Sequence, residues 1–106
     1  MALLAGGAVV AMTQQYLVGE TSVLLAQLQA SGADPMVVRE LARLRREAES
    51  GPVSRLGSVA LRALELTDEL CRDSLRQGDV HAFVSQCACG ADLREFCVCA
   101  RLLTDT

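Results

Sequence analysis

Four of the five cysteines stand in two pairs near the C-terminus, Cys87-Ala88-Cys89 and Cys97-Val98-Cys99, separated by seven residues. Such a set offers three chemistries. Four thiolates bind zinc or copper(I) if their sulfurs converge at about 2.3 Å from one ion. Thiols also exchange with a cysteine on another helix or subunit. The third role is no chemistry at all, because a free cysteine usually behaves as a small buried hydrophobe. Helix geometry separates these readings. On a continuous helix Cys87 and Cys89 point about 200° apart, and Cys87 lies about 18 Å along the axis from Cys99. A single-ion site therefore requires a break near Gly90, and an unbroken helix keeps these four cysteines from forming disulfides with one another. Yet Ala91 to Phe96 is good helix sequence, and a lone interior glycine costs only about 1 kcal/mol against alanine. Buried thiols are the preferred reading, with no cofactor expected. A zinc or copper(I) site, or a thiol-based sensor, on Cys87, Cys89, Cys97 and Cys99 is the alternative.

Catalytic constellations fail one at a time. There is a single histidine, His81, so any Ser-His-Asp or Cys-His arrangement must use it. With Gly78 as a hairpin turn, His81 falls opposite Ser74 or Leu75, one helical turn, about 5 Å, from Cys71. A histidine near a helix N-terminus is more often a solvated surface residue. Asp73-Ser74-Leu75 is similar to the tripeptide that carries phosphopantetheine in acyl carrier proteins. In that family the serine opens a long helix after a loop, whereas Ser74 comes near the end of one, with Gly78 just beyond. No Gly-rich phosphate loop, EF-hand or dinucleotide fingerprint is present. The chain is not expected to be an enzyme.

The elements that would position these residues are helices. The chain has 106 residues, one domain's worth, and is 51% apolar but only 3% aromatic, without tryptophan. Its core must be aliphatic. Seventeen leucines and fifteen alanines dominate the composition, both strong helix formers. That argues against disorder and against an all-β fold. Ten arginines, no lysine and thirteen acids give a net charge of -3, which leaves no field to hold a polyanion, so nucleic acid is not an expected partner. The apolar start, residues 1–11, lacks a basic n-region and is shorter than a membrane span of about 20 residues. It reads as an apolar arm, and a cytoplasmic location is expected.

Turn chemistry divides the rest. Gly32 suits a left-handed helix end, Asp34 an N-cap and Pro35 the first helical position; Gly51 and Pro52, then Gly78 and Asp79, repeat the pattern. Helices are predicted over 13–30, 35–50, 53–77 and 79–103, with connections short enough to force antiparallel neighbours. The expected fold is an all-α, four-helix antiparallel bundle. Core arcs fall on Leu17, Thr21, Leu24, Leu25 and Leu28; on Val37, Leu41, Leu44 and Ala48; and on Leu56, Ala60, Ala63, Thr67, Leu70 and Ser74. Arg39, Arg43 and Arg46 form a solvated stripe opposite the second of these.

The last helix has two apolar sides. Ala82, Cys89, Leu93, Phe96, Cys97, Ala100 and Leu103 fill a broad arc with the larger side chains, suited to the domain's own core. Val80, Val84, Cys87, Ala91, Val98 and Leu102 form a narrow seam within about 40° of one line. A bundle helix needs only one apolar face. The seam is therefore the expected interface, covered by the arm, a second copy or another helical protein, with Arg94, Arg101 and Glu95 placed to pair across it. A small non-enzymatic interaction or regulatory protein, acting as a homodimer, is the expected function.

Overall fold

A computed structural model of the chain describes residues 2–32 and 34–99, with side chains described for 12–30, 32 and 34–98. Every regular element among them is helical: α1 (Ala2–Ser31), α2 (Pro35–Ser50), α3 (Leu56–Gln77) and α4 (Val80–Cys99), with a 3-10 turn over Val53–Arg55 leading into α3. This is the expected all-α bundle. Consecutive helices pair closely, α1 with α2 and α3 with α4, while α2 lies on α3 and α1 touches both α3 and α4.

Three boundaries differ from expectation. Residues 2–11 continue α1 instead of forming a separate arm, because an Ala-, Val- and Leu-rich run supports helix strongly enough to carry Gly6 and Gly7. The third helix starts at Leu56 after a short 3-10 turn, since Pro52 sets the chain extended and Val53 to Arg55 then tighten into it. The fourth starts at Val80, and its predicted end at 103 lies outside the described residues.

The turns show why the helices stop where they do. Gly78 takes φ 74° after α3; its N–H donates to Leu75 O at 3.2 Å, and that of Asp79 donates to Ser74 O at 2.9 Å. That bond pair closes a helix around a left-handed residue, which glycine adopts without steric cost. Asp79 then caps α4, accepting from Ala82 N at 3.1 Å, as Asp34 caps α2 by accepting from Met36 N at 2.9 Å. Gly51 works differently. Its φ is -79°, so it is not left-handed as expected; a Cβ there would stand 2.5 Å from Glu47 O, and close approach is what demands glycine.

The core is aliphatic, as the composition requires. Leu17, Leu24 and Leu28 of α1 meet Leu41, Leu44 and Ala48 of α2 and a long stripe of α3 from Leu56 to Leu70. Thr21 and Thr67, both fully buried, satisfy their hydroxyls within their own helices on Leu17 O and Ala63 O, each at 2.7 Å. Arg62 links α3 to α2 through Glu40 Oε1 at 2.5 Å and holds Glu65 at 3.0 Å. The guanidinium beside Glu40 holds that carboxyl below its usual range. On the solvated stripe Arg43 pairs with Glu47 at 3.3 Å, an exposed i,i+4 bridge of small worth.

Candidate functional site

The residues singled out by type and spacing gather on α4, and the bundle divides them between its two sides. On the inner side Leu93 and Cys97 are fully buried and Cys89 nearly so. Cys89 Sγ donates to Glu20 Oε2 of α1 at 2.9 Å, and Phe96 stacks on Tyr16 of α1 with ring centroids 4.9 Å apart and planes 19° from parallel. Burial first, and the Glu20 hydrogen bond second, push the Cys89 thiol up to about 12. Burial raises Cys97 as well, with Arg94 opposing. Tyr16 is held protonated by burial and by the Glu20 charge, and its buried Oη has no partner among the described residues. Cys89 and Cys97 are thus both buried, Cys89 with a polar partner in Glu20.

The outer side is open. Val80 is 69% exposed and Val84 60% exposed, Cys87 and Ala91 are exposed, and Val98 is half-buried. Leu102, the sixth residue of the predicted seam, lies outside the described residues, as do Ala100 and Leu103 of the broad arc. Leu75, in the last turn of α3 beside the same hairpin turn, is 63% exposed. The flanking charge Arg94 is engaged within the chain, at 3.2 Å from Asp68 of α3.

Gly90 does not break α4, which is helical from Val80 to Cys99. Instead it lets α3 approach: a Cβ on Gly90 would stand 3.3 Å from Thr67 Cγ2. With the helix unbroken, Cys87 and Cys89 point to different sides, and the spacing to Cys97 and Cys99 is that of a continuous helix. Among the described residues no group of three or more His, Cys, Asp or Glu side chains is placed to hold a metal ion.

His81 is exposed in the first turn of α4, beside a shallow depression of about 300 Å³ shared with Gln27, Asp79, Ser85 and Gln86. The partner of Ser74 is not His81 but Gln86, whose Oε1 accepts from Ser74 Oγ at 2.7 Å in a buried contact. The first turn of α4 is spent on the Asp79 cap, so the hairpin first closes on α3 one turn later than simple counting places it. Cys71, half-buried on α3, has Cys87 of α4 as a close thiol neighbour. Burial, then this contact, pushes the Cys71 thiol up to about 11. Sequence reasoning missed Cys71–Cys87, Cys89–Glu20 and Ser74–Gln86. Counting from the Gly78 turn does not give the first and last, because the cap turn of α4 shifts the register, and the α1–α4 contact has no local signal. No helix among the described residues is long and apolar enough to cross a membrane. No family model, curated protein or solved structure matches the chain.

Proposed function

We propose that the protein is a small non-enzymatic association module, a cytoplasmic homodimer held through the outer row of α4. One observation carries the reading: α4 is apolar on two sides, and the bundle consumes only one. Leu93 and Cys97 are buried in the core and Phe96 stacks on Tyr16 of α1, while Val80 and Val84 stand more than half exposed in steps that continue through Cys87 and Ala91 to Val98. Small residues at intervals of three and four are what close helix-on-helix packing at about 8–10 Å requires. A twofold axis across such a row makes it self-complementary, so a second copy needs no further design. Fully burying each valine contributes about 1.5–3 kcal/mol, and a symmetric contact counts every residue twice.

The test is oligomeric state. Sedimentation should give a dimer for the wild type and a monomer of unchanged helical content for Val84→Glu, because position 84 is open in the isolated bundle. Leu93→Glu, at a fully buried position, should unfold the chain. A wild type that stays monomeric over a wide concentration range, or a Val84→Glu variant that still dimerises, overturns the reading.

A further inference from the structure

We propose that Cys71 and Cys87 are a redox-active dithiol that closes to an intrachain disulfide between α3 and α4 by exchange with a low-molecular-weight disulfide. The pair is fixed from both sides by contacts of the hairpin itself. Toward the turn, Ser74 Oγ lies 2.7 Å from Gln86 Oε1. Away from it, Gly90 brings the helices together against Thr67, where an added Cβ would stand 3.3 Å from a methyl carbon. Cys71 lies one turn from both Thr67 and Ser74 on α3, and Cys87 lies between Gln86 and Gly90 on α4. The two thiols therefore lie where the helix axes are pinned close, near enough for Cys87 to act on the Cys71 thiol. A disulfide needs Cα atoms about 4.4–6.8 Å apart, a span that only closely approaching helices supply.

Access differs between the partners and sets the order of events. Cys87 is exposed and Cys71 half-buried, whereas Cys89 and Cys97 are sealed in the core. Cys87 loses its proton and attacks one sulfur of the small disulfide; that S–S bond breaks, a mixed disulfide forms and one thiol leaves. Cys71 then loses its proton and attacks the Cys87 sulfur, expelling the second thiol. Two protein thiols are oxidised, the small disulfide is reduced to two thiols, and the protons pass to them. The closed link staples α3 to α4 and removes the one thiol of the outer row. In a reducing compartment such a bond is transient, as befits a sensor and not a structural staple. Cys87 also stands in the row proposed to meet a second copy, so the exchange belongs to the monomer, the form that dilute protein supplies.

Oxidised glutathione, added to dilute reduced protein, provides the test. The free-thiol titre should fall from five to three per chain. Tryptic digestion should then show residues 63–72 joined to residues 77–94, with fragmentation placing the link on Cys87 and not Cys89. Cys87→Ala, at an exposed position, should fold normally and lose the link completely; dithiothreitol should restore all five thiols in the wild type. A titre that stays at five, a link that maps to Cys89, or a Cys87–Cys87 bond between chains on a non-reducing gel overturns the proposal.

Discussion

Replacing Gly90 with alanine ought to stabilise α4 by about 1 kcal/mol if helix propensity alone decided the outcome. Its position denies that gain. The new Cβ would stand 3.3 Å from Thr67 Cγ2, inside the 3.5–4.0 Å optimum for carbon contacts. Thr67 cannot turn aside, because it is fully buried and its Oγ1 donates to Ala63 O at 2.7 Å. Rotating it would leave a buried hydroxyl unpaired, at a cost of about 1–3 kcal/mol. Relief must therefore come from α3 and α4 moving apart, an overpacking penalty of about 1–3 kcal/mol. Setting that against the propensity gain, Gly90→Ala should destabilise the fold by about 0.5–1.5 kcal/mol.

A second substitution isolates the cause. Thr67→Ser keeps the hydroxyl and its bond but removes the opposing methyl, for a loss of about 1 kcal/mol. In the double variant the methyl has moved from one helix to the other at constant volume, so stability should return to within about 0.5 kcal/mol of wild type. The coupling between the two sites is then on the order of 1–2 kcal/mol. Urea denaturation followed by circular dichroism, at one fixed protein concentration, measures all four stabilities. A stabilised Gly90→Ala variant, or single effects that simply add, would refute the close-approach account of Gly90.

Two further perturbations probe the elements that hold α4 in place. Asp79→Ala removes the acceptor of Ala82 N and should cost about 0.5–2 kcal/mol in a denaturant melt, with Asp79→Asn recovering most of it; a negligible effect would mean that α4 is not capped there. Arg62 holds the Glu40 carboxyl below its ordinary value, so their pairing stabilises the fold above the usual carboxylate range and fades as pH falls through the lowered Glu40 value. Arg62→Gln should flatten the acid-side fall of the melting midpoint at low salt, and identical pH profiles for the two proteins would show that the bridge contributes nothing.

The turns and the inward stripes were the legible part of the fold, because their causes are local. Asp34-Pro35 and Gly78-Asp79 carry their capping chemistry within a few residues, and the stripe from Leu56 to Ser74 is buried position by position. Leu75 shows the limit of periodicity: it lies beside that stripe in sequence but is 63% exposed in the last turn of α3. The start of α1 was not legible for a different reason. Residues 2–11 are apolar throughout, so they carry no amphipathic period to mark a helix face.

The cysteines show how far spacing alone can mislead about a site. Read along the chain, Cys87, Cys89, Cys97 and Cys99 form one motif, because two CxC pairs look like a ligand set. A helix disperses what a loop would gather: neighbours two apart face opposite ways, and the unbroken path through Gly90 keeps the pairs separated. The groupings that matter run across helices. Cys89 belongs with Glu20, 69 residues away, and is held neutral there. Cys87 belongs with Cys71, at the one stretch where Gly90 and the Ser74–Gln86 bond draw α3 and α4 together. Glycine in the middle of α4, read along the chain as the place where a metal site would need a break, leaves the helix unbroken and lets its neighbour come close. Close packing buries Cys89, Leu93 and Cys97 while Val80, Val84 and Cys87 stay exposed, so one feature underlies both the proposed contact with a second copy and the proposed thiol pair.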